Sequence, residues 1–231
     1  YEYDLSNDTW GIKGSYNIIG GDGGRAGWSV SLNSIGNKIA TGIKYNIVGG
    51  TGSGAVHIYN LKGDDGGWVQ LGDDTITGTA EGDNAGWSVA LNAAGDKVAV
   101  GFPNSGTTGL DAGLVQVHKW DDTPATPAWS QLGTDIKGKA SGDNAGWSVA
   151  LNAAGDKVAI GCPNSDINHT DTGSAQVHKW DAGWSQLGED ISGNAVGDNM
   201  GWSVSLNAMG NKLAVGCPHK NVDNSYTADN I

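Results

Sequence analysis

The sequence predicts an all-β chain of β-propeller blades, each a four-stranded antiparallel meander, and three observations carry that expectation. The tetrapeptide Gly-Trp-Ser-Val begins at Gly27, Gly86, Gly146 and Gly201, at intervals of 59, 60 and 55 residues. A period of this order points to propeller blades or another stacked array. Within each copy, bulky apolar residues alternate with small or polar ones, the period of a half-buried strand. Finally, 39 of the 231 residues are Gly and only 16% are charged, which suits short strands joined by many tight turns. The 10 Trp against a single Phe make sense once their positions are seen to repeat.

The second copy shows the elements in order. Trp87, Val89 and Leu91 alternate with Ser88, Ala90 and Asn92, giving a first strand with a bulky face and a small one. Ala93-Ala94-Gly95-Asp96 is a turn in which Gly95 supplies a left-handed backbone, with Gly36, Gly155 and Gly210 in the matching places. Lys97 to Gly101 is the second strand. After a variable loop, Leu114 to Trp120 is rich in β-favouring residues and forms the third. Asp121 to Ala128, with Pro124 and Pro127, turns the chain into a fourth strand, Trp129 to Leu132, whose counterparts are Trp68 to Leu71 and Trp184 to Leu187. A bulky face must lie against a flat one to pack without voids, so blade should stack on blade.

The whole chain, 1–231, reads as one propeller domain or part of one, with repeats at about 24–84, 85–144, 145–199 and 200–231. Residues 1–23 complete the last repeat, because Tyr1 to Asp4 with Trp10 match third and fourth strands. Two arrangements are open: a closed four-blade ring, or four blades of a larger ring such as a seven-bladed one. The opening Tyr1-Glu2-Tyr3-Asp4, without Met or an apolar leader, reads as a mature or excised segment.

A net charge of −12 and no run of Lys or Arg disfavour nucleic acid and anionic membrane surfaces as partners. No stretch approaches the roughly 20 apolar residues of a spanning helix. No phosphate loop, Gly-x-Ser-x-Gly or His-Glu-x-x-His is present, and every candidate acid or base is copied from repeat to repeat, so no catalytic residue and no cofactor are expected.

The order Gly86-Trp87-Ser88-Val89, Val98-Ala99-Val100-Gly101-Phe102-Pro103, then Gly113-Leu114-Val115-Gln116-Val117 resembles the FG-GAP repeats of integrin-α-like β-propellers. All four copies match, the first departing most with Gly42-Ile43-Lys44 in place of Gly-x-Pro. The resemblance implies an extracellular propeller, usually seven-bladed, used in adhesion or ligand binding. Family members often carry a calcium loop between the first two strands. Here that position is Asn92-Ala93-Ala94-Gly95-Asp96, whose one carboxylate beside two alanines cannot supply six to eight oxygen ligands, so no metal is expected. An Asx contact can hold such a turn instead.

Trp28, Trp87, Trp147 and Trp202 fall on the alternating apolar face and are expected in the core. Trp120, Trp129, Trp180 and Trp184 border a turn and are the candidate platforms for a glycan. Asp83, Asp143 and Asp198, in the segments ahead of each Trp, are candidate ligand contacts on one rim, with turn capping as the simpler role. His118 and His178 recur without a carboxylate pattern that would orient a base. Cys162 and Cys217 occupy equivalent places in successive repeats, where Phe102 marks an apolar pocket; buried thiols are expected, with a disulfide between them as the alternative. Asn7 and Asn168 begin Asn-x-Thr triplets and are the expected glycan acceptors if the protein is secreted by a eukaryote. The loops between second and third strands, 44–53, 104–112, 164–172 and 219–231, vary most and are the expected seat of specificity.

The functional expectation is a non-catalytic extracellular or cell-surface module that binds protein or glycan through rim loops. The alternative is a structural subunit of a surface appendage, fibre or wall, packing against copies of itself or other subunits. A polysaccharide-acting enzyme is the distant third.

Overall fold

The computed structural model describes residues 1–4, 6–11, 18, 25–44, 52–63, 67–72, 76–123 and 127–219. A hairpin of β1 (Glu2–Asp4) and β2 (Thr9–Gly11) comes first, with Tyr3 opposite Trp10. Three sheets of one design follow. β3 (Ala26–Leu32), β4 (Lys38–Ile43), β5 (Ala55–Leu61) and β6 (Trp68–Gln70) form an antiparallel meander, with β7 (Ile76–Thr77) returning to β5. The second sheet repeats this with β8 (Ser88–Leu91), β9 (Lys97–Phe102), β10 (Leu114–Asp121), β11 (Ala128–Gln131) and β12 (Ile136–Lys137). The third has β13 (Ser148–Leu151), β14 (Lys157–Cys162), β15 (Ser174–Trp180), β16 (Trp184–Gln186) and β17 (Ile191–Ser192). β18 (Ser203–Leu206) and β19 (Leu213–Gly216) pair as the first two strands of a fourth unit. These sheets are β-propeller blades.

Each turn between first and second strands is held as an Asx loop. The Asn92 Oδ1 accepts the backbone N–H groups of Asp96 and Lys97, at 3.1 and 3.0 Å, and Gly95 takes φ 64°. Asn33, Asn152 and Asn207 also accept at this place in their own turns. The side-chain amide thus occupies the position where a calcium loop would place carboxylates. The short β7, β12 and β17 were not foreseen. They extend the outer edge after a break in the fourth strand, where Ile76 and Ile136 are buried against their sheets.

The core lies between blades. One cluster joins Ala40, Val56 and Ile58 of the first blade to Val89, Leu91 and Val100 of the second; another joins Val115, Val117 and Ile136 to Val158, Ile160 and Cys162. The alternation of the first strand sets this packing. Val89 and Leu91 are buried toward the preceding blade, and the Leu91 N–H donates to the Ser31 Oγ at 2.9 Å. The opposite Ser88 donates its hydroxyl to the Gly146 carbonyl of the next blade at 2.8 Å. Glycine allows this approach, because a Cβ on Gly101 would overlap the Gly146 carbonyl oxygen. Gly42 against Gly86 and Gly161 against Gly201 repeat that contact.

The first strands follow one another in space, β3 to β8 to β13 to β18. Among the described residues, β18 is not packed on β3, and Val30 and Leu32 on the bulky face of β3 are 62% and 56% exposed. The β1–β2 hairpin and the β18–β19 pair stand as separate two-stranded sheets. The described residues therefore form a series of successive blades, each stacked on the one before.

Candidate ligand-binding rim

The Gly-Trp-Ser-Val motif builds a ladder of indole rings. Gly86 enters the strand with φ 78°, its N–H bonded to the Gly101 carbonyl at 3.2 Å, and Gly27, Gly146 and Gly201 share that left-handed conformation. The Trp that follows stands where the first strand begins. Its ring meets the same ring of the neighbouring blade. Trp28 and Trp87 have centroids 5.1 Å apart, Trp87 and Trp147 4.6 Å, and Trp147 and Trp202 5.0 Å, with planes inclined by 53°, 48° and 51°.

These four rings are not core. Trp28 and Trp202 are 41% and 43% exposed, and Trp87 and Trp147 are half-buried. The alternation of the strand does bury Val89 and Leu91, but the Trp at its mouth stacks on the next Trp and stays partly in solvent. A period-two pattern gives the face of a side chain, not its distance from the edge of the sheet.

Lys44 completes the first step of the ladder. Its Nζ lies 4.0 Å from the Trp28 centroid and 4.2 Å from that of Trp87, in the notch between the tilted rings, well within cation–π range. The sequence marks this residue only as a departure, Lys where later copies have Pro103, Pro163 and Pro218.

The loops from second to third strands leave from the same end of the blade, since Ser88 pairs with Gly101 at the end of β9. Asn144 Nδ2 donates to the Pro103 carbonyl and Asn199 Nδ2 to that of Pro163, both at 3.0 Å. Asn164 links them by donating to Asn144 Oδ1 at 2.8 Å. Both Asn144 and Asn199 hold left-handed backbones, φ 53° and 52°, which Asn tolerates better than most residues. On this amide frame Leu110 is 79% and Ile167 46% exposed, so each described loop carries an aliphatic side chain in solvent. Most of the loops at 44–53 and 219–231 lie outside the described residues.

The candidate aspartates lie beneath this rim as turn caps. Asp83 Oδ2 accepts the N–H groups of Thr79 and Ala80, Asp143 those of Lys139 and Ala140, and Asp198 those of Asn194 and Ala195. All three are buried, and burial raises the Asp143 carboxyl above the usual carboxylate range. The Oδ2 of each is thus committed to backbone N–H groups, the turn-capping role.

The outer Trp pairs are clamps between blades. The buried Trp129 donates its indole N–H to the Leu71 carbonyl at 3.1 Å, and half-buried Trp184 donates to that of Leu132 at 2.8 Å. Trp120 and Trp180 pack on these rings at 5.5 and 5.4 Å and press against Gly72 and Gly133 of the preceding blade. A residue beside a turn in sequence is here pinned by its neighbour blade, so Trp129 has no face to offer a glycan.

His118 and His178 are buried, each with Nε2 3.0 Å from a Gln oxygen, on Gln116 and Gln176. Burial holds both imidazoles down at about 4, so they are neutral at pH 7. Cys162 and Cys217 are both thiols and no disulfide joins them. Burial pushes the Cys162 thiol up to about 12, whereas Cys217 donates to the Asp198 carbonyl at 3.2 Å. Asn7 and Asn168 are exposed; Asn7 donates to Asp4 at 2.7 Å, and Asn168 to Ser192 and the Gly193 carbonyl at 2.9 and 3.2 Å.

No family model and no curated protein matches the chain. Among solved structures it is similar to the hydrazine synthase of Kuenenia stuttgartiensis, at a TM-score of 0.48 and 14% identity over 83% of this chain and 58% of that one. It is also similar to a 6-phosphogluconolactonase-like protein of Bacteroides uniformis, at a TM-score of 0.44 and 9% identity over 82% of this chain and 63% of that one. The chain thus spans about three fifths of the length of both.

Proposed function

We propose that this chain is a non-catalytic binding module that presents the Trp-ladder rim to a protein ligand. The ladder carries the reading: four indoles in line, the terminal two about two-fifths exposed, beside loops that hold Leu110 and Ile167 in solvent. Exposed aromatic and aliphatic side chains on a hydrogen-bonded frame suit recognition, because little side-chain entropy remains to be lost on binding. Protein is favoured over glycan because each inner ring is flanked on both sides by rings tilted at about 50°, so neither presents the broad open face on which a sugar ring stacks. The motif order that resembles FG-GAP repeats supports an extracellular or cell-surface setting. A pull-down with the immobilised chain, compared with a Trp28→Ala/Trp202→Ala variant, tests this. Partners held by the wild type and lost from the variant support the reading. Equal capture by both, or capture of glycans alone on an array, overturns it.

A second reading, a structural subunit that assembles through its blades, is favoured by the bare β3 face, where Trp28, Val30 and Leu32 are exposed as their counterparts Val89 and Leu91 are not. Sedimentation of the purified chain separates the two. Large assemblies at micromolar concentration favour the subunit.

A further inference from the structure

We infer that the two notches of the Trp ladder beyond Lys44, between Trp87 and Trp147 and between Trp147 and Trp202, are binding sites for an organic ammonium group, such as a lysine or methylated lysine of a partner protein. The inference rests on the rim being the binding surface and names the chemistry it selects.

The first notch shows what this geometry holds. Trp28 and Trp87, tilted by 53°, receive the Lys44 ammonium at 4.0 and 4.2 Å from their centroids, so one cation is shared by two π-faces. The next two steps repeat the geometry at 48° and 51°, with centroids 4.6 and 5.0 Å apart. In register with Lys44, however, stand Pro103 and Pro163, which bring no charge. Among the described residues, the cation found over the rings of the ladder is Lys44, at Trp28 and Trp87. The ring geometry of the first notch therefore recurs at two further steps, where the chain places no cation of its own among the described residues. His219 meets Trp202 edge-on, at 86° and 6.2 Å, and closes the far end of the ladder. The net charge of −12 draws cations toward the surface and repels anions. Indole is the strongest of the aromatic side chains in this interaction, and quaternary ammonium ions between aromatic rings are its best-known use.

The test is titration of the 231-residue chain with choline and with its uncharged isostere, 3,3-dimethylbutan-1-ol, followed by the indole N–H signals in 15N-resolved NMR. Choline is expected to shift Trp87, Trp147 and Trp202 saturably, leaving the packed Trp129 and Trp184 in place as internal controls of folding. The isostere should bind at least about tenfold more weakly, since it keeps the shape and loses the charge. Trp147→Leu, which removes the ring common to both notches, should abolish saturation. Lys44→Ala empties the first notch, and Trp28 should then begin to respond. Equal affinity for choline and the isostere, no saturation by choline, or an unchanged Trp28 in Lys44→Ala would each overturn the inference. A chain that binds choline as described but captures no protein refutes the proposed function and leaves the ammonium sites standing.

Discussion

Replacing Gly101 by Ala tests the blade packing at its tightest point. A Cβ there would overlap the Gly146 carbonyl oxygen and stand 2.9 Å from its carbonyl carbon. Neither partner can yield, because both atoms belong to backbone fixed by sheet hydrogen bonds. The second and third blades must move apart, stretching the 2.8 Å bond from Ser88 Oγ to the Gly146 carbonyl and the 3.0 Å bond from the Ala145 N–H to the Ala112 carbonyl. Two hydrogen bonds are worth about 1 kcal/mol each. Separating the apolar faces that include Val115, Val117, Val158 and Ile160 adds about 1–3 kcal/mol, the usual cost of overpacking. The expected loss is therefore about 4 kcal/mol, measured by urea unfolding followed through Trp fluorescence. Gly183→Ala is the matched control: a Cβ there meets nothing within 4 Å, and its effect should stay within about 0.5 kcal/mol. A Gly101→Ala chain within about 1 kcal/mol of wild type would refute the glycine-to-glycine contact as the basis of stacking.

Other expectations follow from the same geometry. Asp198→Ala strips the Asn194 and Ala195 N–H groups of their buried acceptor and should lower stability by about 1–2 kcal/mol in the same assay. Trp129→Phe keeps a ring but leaves the Leu71 carbonyl without its indole donor, and should cost about 1–3 kcal/mol, including the smaller ring's lost packing. The imidazoles of His118 and His178 are held at about 4 chiefly by burial, against 6.5 in the unfolded chain. The unfolded state therefore binds more protons between those values, so stability is full above about pH 6.5 and declines as pH falls toward 4, by roughly 3 kcal/mol for His118 alone. His118→Gln should flatten that decline in urea titrations across pH, and an unchanged slope would sink the assignment. Cys162, buried with its thiol at about 12, should resist iodoacetamide at neutral pH until the chain is unfolded, which intact-mass spectrometry reads directly.

The repeat was legible because duplication writes the same strand four times, and a period of two survives in any copy. The Asx turn at Asn92 and the meander order were likewise readable, since both depend on residues a few positions apart. The roles of the Trp residues were not. Trp129 and Trp87 each begin a strand-like run, yet one is buried under its neighbour blade and the other lines the rim. Lys44 gave a signal, as the one break in the Gly-x-Pro pattern, but nothing local relates it to Trp28 and Trp87.

By itself the sequence determined the blade: alternation sorted bulky from small faces, and Gly and Asn set the turns, because these are short-range consequences of backbone sterics and pleat. Only the tertiary structure decided which indoles meet, that the aspartates are spent on backbone N–H groups, and that one ammonium sits between two rings. Those facts depend on contacts between residues about 60 positions apart, whose distances are fixed by how closely one glycine-lined blade can approach the next.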